Sequence, residues 1–113
     1  MITVTQQDKY NLIELNASSL NTELVKQIEV KAKELDSNII IDATQIKGAE
    51  DTALSALMNL YTQQFKAQKS FVIANLSEDI EDQADDLDLD LNITPTINEA
   101  IDILFMEELE REL

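Results

Sequence analysis

At the centre of this 113-residue chain, residues 38–57 read NIIIDATQIKGAEDTALSAL. The opening run, Asn38–Ala43, is short, apolar and rich in isoleucine, which is the composition of a strand covered on both faces. A loop follows that contains Gly48, the only glycine of the sequence. Beyond this loop, apolar side chains recur at helical spacing over Thr52–Ala67. The pattern predicts a buried strand, a connecting loop and an amphipathic helix.

The alternation of strands and helices continues on both sides of this stretch. Tyr10–Asn16 mixes apolar and polar residues like an edge or half-exposed strand, and Ser70–Ala74 is a second strand of the covered kind. Two further strands, at Ile2–Thr5 and Leu89–Ile93, are predicted from a weaker sequence pattern. The other predicted helices cover Leu20–Leu35, Ser77 to Asp86, and the residues from Pro95 onward. Strands that alternate with helices in this way imply crossovers and a mostly parallel sheet. We therefore predict the α/β class and a single domain, residues 1–113.

Polar residues and apolar spacing predict where the helices begin and which faces they bury. Asn21 or Ser19 is expected to cap the first helix, and Ser77 the third. Asp51 or Thr52 is expected to cap the second helix with a side-chain oxygen over its free N–H groups. The predicted buried faces comprise Leu54, Leu57, Met58, Tyr61 and Phe65 in the second helix, and Ile97, Ile101, Leu104 and Phe105 in the last.

The composition excludes most enzymatic functions. There is no Cys and no His, which excludes disulfides, Cys/His zinc sites and histidine-based catalytic triads. A single glycine cannot supply a glycine-rich phosphate-binding loop. Glu50 and Asp51 are paired acids, but adjacent residues seldom converge on one substrate atom and no aromatic cluster accompanies them. We expect a protein that is not an enzyme and uses no metal and no cofactor.

An acidic segment resembles the start of a calcium-binding loop but does not complete it. Residues 86–92 alternate three aspartates and an asparagine with leucines, as the first ligands of an EF-hand alternate. The sixth and twelfth positions of such a loop need Gly and Glu, but Leu91 and Ile97 stand there. The alternation instead predicts a strand whose leucines face inward and whose carboxylates face water.

The formal charge of −15 is unevenly distributed along the chain. Residues 1–69 carry nine acids and seven bases, whereas residues 70–113 carry fourteen acids and one base. Nucleic acids and anionic membranes both require basic surfaces, so neither is an expected partner. No apolar run is long enough to insert into a membrane. We expect a cytoplasmic protein. Its acidic part, residues 70–113, is either solvated surface or a surface whose negative charge attracts a basic partner.

Three segments together resemble the STAS domain, a family found in bacterial anti-sigma factor antagonists. They are NIIIDATQIKGAEDTALSAL at 38–57, SFVIANLSEDI at 70–80 and ITPTINEAI at 93–101. The likeness covers about residues 10–104, and PTINEAI is similar to the family's usual Pro-Thr-x-x-Glu-Ala ending. The resemblance implies a four- to five-stranded mixed sheet with helices packed mainly on one side.

The resemblance also implies a binding site at the loop and helix start, about residues 45–56. In the family this region binds an anti-sigma factor, often a serine kinase, so that the sigma factor is released. A Ser or Thr at the helix start, usually within Asp-Ser-Ser-Gly, is phosphorylated to switch binding off, because phosphate adds about −1.5 to −2 charge. By this resemblance the partner-binding or degenerate phosphorylation residues are Gly48, Glu50, Asp51 and Thr52.

The chain departs from the family at this phosphorylation motif. An alignment of Ile46 and Leu54 without gaps places Glu50 on the family Asp and Asp51 on the phosphoacceptor, which is then already a carboxylate. A second alignment places Thr52 on the acceptor, but it needs a one-residue insertion, so we favour the first. The family's Gly-x-x-Asp before the first helix is also missing.

Two functions are compatible with these observations. The first is a non-enzymatic regulatory protein that binds an anti-sigma factor or a related regulator through residues 45–56. The alternative is a constitutive STAS subunit of a larger assembly, such as a transporter complex or a signalling scaffold, which needs no phosphoswitch.

The last helix ends in MEELEREL, residues 106–113. This end is either the frayed terminus of a core-packed helix or a contact for a partner, including a homodimer through the C-terminal helix.

Overall fold

The isoleucine run forms a strand in the middle of a five-stranded sheet. The computed structural model describes all residues from 1 to 113. In chain order, the strands are β1 (Ile2–Gln6), β2 (Asn11–Leu15), β3 (Ser19–Leu20), β4 (Ile39–Asp42), β5 (Gly48–Ala49), β6 (Phe71–Ala74) and β7 (Ile93–Thr94). The helices are α1 (Thr22–Leu35), α2 (Asp51–Lys66), α3 (Glu78–Asp86) and α4 (Ile97–Glu112).

The sheet has the strand order β1-β2-β4-β6-β7, and β3 pairs with β5 in a separate two-stranded ladder. β1 and β2 are antiparallel, with Ile2 opposite Leu15, and the other neighbours in the sheet are parallel. Each parallel connection needs a crossover, which α1, α2 and α3 supply in turn. Ile13, Ile41 and Ile73 lie side by side on the three central strands. The α/β class and the mixed sheet are therefore confirmed.

Helices cover both faces of the central strands. On one face, Ile39 and Ile41 belong to the larger buried core together with side chains of α1, α2 and α3. On the other face, Ile40 and Val72 pack with Leu104 of α4 in a smaller core. Three helices thus lie on one side of the sheet and one on the other. This arrangement agrees with the predicted STAS-like architecture, and the central strand is covered on both faces as its composition predicts.

Hydrogen bonds hold the acidic end of α4 against the edge at which the parallel strands begin. Glu107 accepts a hydrogen bond from Ser70 Oγ at 2.6 Å and another from Asn92 Nδ2 at 3.2 Å. Glu108 accepts one from Asn38 Nδ2 at 2.6 Å. These bonds tie the helix to the strand starts, and α4 continues as helix to Glu112. The choice between a frayed terminus and a partner contact beyond Glu108 stays a prediction.

One strand prediction is confirmed and another is wrong in part. Tyr10–Asn16 forms a strand, as predicted; it lies inside the sheet, since β1 forms the edge, and the residues of β2 alternate between buried and partly buried. Leu89–Ile93 is not a strand, because the chain leaves α3 through a turn in which Asp88 has a φ of 57°, and pairing begins only at Ile93. The alternation still describes burial, since the leucines of this segment pack on the core and the aspartates are exposed.

The predicted helix caps are confirmed at two of the three helices for which caps are predicted. Asn21 Oδ1 accepts a hydrogen bond from the third residue of α1 at 2.9 Å. Ser77 Oγ caps α3 in the same way, at 3.4 Å. Both contacts join residues three positions apart, so local sequence is sufficient to predict them.

The predicted buried faces fail at two aromatic residues. In α2 the buried line runs through Leu57, Leu60 and Gln64, so Phe65 is turned about 100° away from it and is 66% exposed. In α4 Leu104 is buried and the next residue, Phe105, is 43% exposed. In each helix the aromatic residue lies one position past the buried line.

None of the four helices is long and apolar enough to cross a membrane.

Candidate functional site

The predicted binding loop lies at the edge of the sheet where the parallel strands end. β4 ends at Asp42 and β6 at Ala74, and residues 43–50 connect β4 to α2. In open α/β sheets, partners and ligands bind at this edge. The surface cavities are lined by other residues, and none of them includes residues 42–52. The candidate site is therefore an open surface rather than a cavity.

Backbone hydrogen bonds fasten this loop to the segment before α1. Gly48 and Ala49 form β5, which pairs in parallel with β3. Beside this ladder, Lys47 N donates to Ser18 O at 2.7 Å, and Glu50 N donates to Leu20 O at 3.0 Å. Because the backbone groups of the loop are paired in this way, the side chains that follow have defined positions.

The only glycine of the chain is not needed for the conformation of this loop. Gly48 does not have a positive φ, and a Cβ added there would meet no atom within 4 Å. Gly48 lies in the predicted binding region, but no close approach or strained turn explains the residue type.

The capping prediction for α2 is wrong. The helix begins at Asp51, so Asp51 and Thr52 lie in its first turn, and Glu50 occupies the cap position without a side-chain hydrogen bond. The Glu50 carbonyl accepts the first helical bonds, from Ala53 N at 3.0 Å and Leu54 N at 3.1 Å. The side chains of residues 50–52 are all exposed. A carboxylate in the first turn interacts favourably with the positive end of the helix dipole.

Gln83 of α3 is a residue of this site that the sequence analysis does not identify. Its Nε2 donates to Asp51 Oδ1 at 2.7 Å and to Ala49 O at 2.9 Å. A single amide thus ties the Asp51 carboxylate and the loop to a second helix. Gln83 is 32 residues from Asp51, and an isolated glutamine in an acidic helix has no spacing signal that predicts such a contact.

Replacing Gln83 with alanine is expected to increase local opening of the loop at residues 49–52, with only a small loss of domain stability. Loss of this partly exposed amide should lower the free energy of unfolding by about 0.5–1.5 kcal/mol, the net value of an ordinary hydrogen bond. Amide hydrogen exchange at residues 49–52 should become faster, measured by NMR, whereas Gln63→Ala on the exposed side of α2 should leave it unchanged. Equal exchange in the two variants would contradict the bridging role of Gln83.

A polar cluster also surrounds Asp42, at the end of β4. Asp42 Oδ1 accepts hydrogen bonds from the Thr44 hydroxyl, from Thr44 N at 3.1 Å and from Asn75 Nδ2 at 3.1 Å. Partial burial by itself would raise the pKa of Asp42, but these three donors favour the ionised form and together hold the pKa below its ordinary value. The cluster joins the ends of β4 and β6 beneath the candidate site.

The Asp42 cluster predicts a specific pH dependence of stability. Because the pKa of Asp42 is lower in the folded chain, its stabilising contribution is complete above the unfolded pKa of about 3.9 and is lost as the pH falls through the folded pKa. Asp42→Asn should therefore be destabilising at pH 7, with a difference from the wild type that shrinks as the pH falls below the unfolded pKa and through the lower folded pKa. Chemical denaturation at several pH values measures this difference, and Asp8→Asn, at an exposed position, provides the control. A difference that stays constant with pH would refute the assignment.

The surface around the candidate site is acidic. α3 lies beside the start of α2, and its exposed residues include Glu78, Asp79 and Asp82. Lys47 is the one base in the loop. No group of His, Cys, Asp or Glu side chains is arranged to hold a metal ion. Complementary charge across an interface favours association, so this surface suits a basic partner.

Comparison with known proteins shows the fold. No family model matches the chain, and no curated protein matches it. Among solved structures, a serine-to-glutamate variant of RsbS from Moorella thermoacetica has a TM-score of 0.75 at 14% identity, and the match covers 97% of each chain. The phosphorylated form of SpoIIAA from Bacillus, an anti-sigma factor antagonist, has a TM-score of 0.66 at 16% identity, with 90% of this chain and 97% of that chain covered.

A membrane transporter contains a similar domain. The murine anion transporter Slc26a9 matches with a TM-score of 0.71 at 11% identity, over 90% of this chain. The match spans only 18% of the transporter. At these identities the likeness concerns the fold alone. The chain has the STAS fold, which RsbS, the anti-sigma factor antagonist SpoIIAA and a domain of this transporter share.

Proposed function

We propose that this chain is a non-enzymatic, cytoplasmic regulatory protein that binds an anti-sigma factor or a regulatory kinase through residues 45–56. The observation that carries the proposal is the exposed acidic start of α2, held rigidly at the end of the sheet by the β3–β5 ladder and by Gln83. An exposed, ordered loop on a rigid scaffold is a typical protein-binding surface. The solved structures with this fold include anti-sigma factor antagonists, which supports the choice of partner class.

Asp51 is proposed to replace the phosphorylatable residue of this family. Its carboxylate projects from the first helical turn and accepts the hydrogen bond from Gln83. An aspartate supplies about one negative charge, whereas a phosphate supplies about −1.5 to −2 and can be removed. Because the Asp51 charge can be neither added nor removed, the usual phosphoswitch would be absent and binding would not be regulated at this position. The neighbouring Thr52 is exposed and is the alternative acceptor.

Reversing the charge at the start of α2 tests the binding surface. Glu50→Lys combined with Asp51→Lys should weaken binding to a partner captured from the native host at least tenfold, about 1.4 kcal/mol. Isothermal titration measures the affinity, and circular dichroism verifies that the variant is folded. The matched control is Glu110→Lys combined with Glu112→Lys, which makes the same charge change on exposed residues of α4. Equal affinities of the two variants would refute the assignment of the site.

Phosphorylation distinguishes the two alignments of the motif. Incubation with a kinase of the host's sigma-regulation system and ATP, followed by intact-mass measurement, should give no phosphate if Asp51 occupies the acceptor position. A stoichiometric phosphate that maps to Thr52, and is absent in Thr52→Val, would show that the second alignment is correct and that the switch is present.

The alternative function is a constitutive subunit of a larger assembly. The similarity to a domain of the Slc26a9 transporter favours this candidate, since there the fold forms a small part of a much longer chain. A permanent carboxylate at Asp51 also suits a subunit that needs no switch. Affinity capture from the host separates the two functions, because one predicts a sigma-factor regulator as the partner and the other predicts transporter or scaffold components.

A further inference from the structure

The outer edge of β1 carries backbone groups that no strand of the chain pairs. β1 is the edge strand of the sheet. In its hairpin with β2, Asn16 N donates to Met1 O at 2.8 Å and Gln7 N donates to Tyr10 O at 2.9 Å. Hydrogen-bonded pairs alternate along antiparallel strands, so residues 1, 3, 5 and 7 bond inward to β2. The N–H and C=O groups of residues 2, 4 and 6 therefore point away from the sheet.

This edge has none of the usual protection against pairing. Natural edge strands are commonly blocked by charged residues, by proline or by extreme shortness. Residues 1–7, MITVTQQ, contain no charged side chain and no proline, and β1 is five residues long. The opposite edge, β7, has only two residues. β1 is thus the one edge of this sheet that is both long enough and chemically suited to accept another strand.

We propose that β1 pairs antiparallel with β1 of a second copy, with the two-fold axis at Val4. In this register Val4 lies opposite Val4 of the partner subunit, and Ile2 lies opposite Gln6 of the partner subunit. The outward-facing residues 2, 4 and 6 are symmetric about Val4, so all of their N–H and C=O groups find partners. Thr3 then faces Thr5 of the partner subunit, a favourable cross-strand pair. The dimer has one continuous sheet of ten strands, since each copy contributes five.

The charge distribution selects a second copy as the occupant of this edge. Residues 1–35 carry five acids and four bases, whereas residues 36–113 carry eighteen acids and four bases. Two copies with a net charge of −15 each can approach closely only through a nearly neutral face. The face that contains β1 and α1 meets this condition.

A groove beside β1 extends the proposed contact onto α1. It has a volume of about 550 Å³, and its lining includes Ile2, Lys26, Val30 and Glu34. Val30 is 51% exposed although it is apolar. In the proposed dimer the two α1 helices lie on the same face of the joined sheet, on either side of the axis. Their mixed lysines and glutamates can then pair between copies, and Val30 is removed from water.

The C-terminal helix offers a competing surface for self-association. Its exposed apolar residues include Met106 and Leu109, which are 60% and 63% exposed. They are flanked by acids, among them Asp102, Glu110 and Glu112. Two such helices would bring like charges together, so the edge of β1 is the better surface for a second copy. The homodimer through α4 that the sequence suggests stays a prediction, and it is one outcome of the test below.

Charge placed at the two threonines tests the register. Thr3 and Thr5 are exposed, and they face each other across the proposed axis. Thr3→Lys with Thr5→Lys sets lysines opposite each other, whereas Thr3→Lys with Thr5→Glu sets opposite charges together. By sedimentation equilibrium we expect the wild type to associate from 12.7 kDa toward twice that mass as its concentration is raised. The double-lysine variant should dimerise at least tenfold more weakly, and the lysine–glutamate variant should retain the dimer.

The outcomes separate the competing explanations. The double-lysine variant lowers the net negative charge, so a loss of its dimer cannot arise from general repulsion. The proposal would be overturned if the wild type stays monomeric. It would also be overturned if the dimer survives in the double-lysine variant but is lost in Met106→Gln with Leu109→Gln. Amide exchange of the wild type gives a test without substitutions: the Val4 N–H should become protected at high concentration. An extended heterologous peptide that protects this N–H while the chain alone remains a monomer would also overturn it.

Discussion

Replacing Ile41 with alanine is expected to lower the free energy of unfolding by about 2–5 kcal/mol. Ile41 is fully buried at the centre of β4, between Ile13 and Ile73 on the neighbouring strands. The lost burial and the cavity left between the sheet and its three helices both contribute to this cost. Domains of this size have a total stability of about 5–15 kcal/mol, so the variant would lose a large part of it.

Chemical denaturation followed by circular dichroism measures the effect of Ile41→Ala. The control is Leu109→Ala, which also shortens an apolar side chain but at a position that is 63% exposed. The control should change stability by no more than about 0.5 kcal/mol, as is usual for surface positions. A cost below about 1 kcal/mol for Ile41→Ala would show that the core is less tightly packed around this strand than the structure indicates.

Replacing Asn38 with alanine is expected to cost about 2–4 kcal/mol, because it leaves one buried and two partly buried groups without partners. Asn38 is only 8% exposed. Its Oδ1 accepts a hydrogen bond from Ser70 N at 2.8 Å, and its Nδ2 donates to Lys9 O at 3.1 Å and to Glu108 Oε1 at 2.6 Å. One side chain therefore joins the starts of two strands, the β1–β2 hairpin and α4.

Two measurements distinguish this role from simple loss of packing. Denaturation gives the total cost, and hydrogen exchange reports whether the end of α4 opens more readily in Asn38→Ala. Asn98→Ala, on the exposed side of the same helix, is the control and should be nearly neutral. If α4 exchanges at the wild-type rate in Asn38→Ala, the bond to Glu108 does not anchor the helix.

Features that depend on residues a few positions apart were predictable. The isoleucine run is a covered strand because three consecutive isoleucines supply apolar side chains to both faces, and Asn21 and Ser77 cap helices because the cap bond spans three residues. The buried face of a helix was wrongly predicted where two adjacent residues fit the apolar spacing almost equally well, as at Phe65. A strand was wrongly predicted where a turn interrupts an alternating pattern, as at Asp88. The two-residue strands β3 and β5 are too short to produce any periodic signal.

The exposure of the candidate residues was predictable, and their contacts were not. The loop after the central strand marks Glu50, Asp51 and Thr52 as candidates, and the structure places all three on an exposed surface. Their geometry differs from the prediction, because Glu50 rather than Asp51 or Thr52 holds the cap position. The partner of the Asp51 carboxylate, Gln83, lies on another helix.

The order of amino acids is sufficient to exclude cysteine, histidine and glycine-loop chemistry, to identify the covered strands and to assign the α/β class. Each of these follows from composition or from local periodicity, because burial on one face of a strand or helix leaves a repeating apolar pattern. The contacts of Asp51 with Gln83, of Asp42 with Asn75 and of Asn38 with Glu108 required the folded chain. A hydrogen bond depends on a distance of about 3 Å between two atoms, and for residues 32 to 70 positions apart that distance is set by how sheet and helices pack.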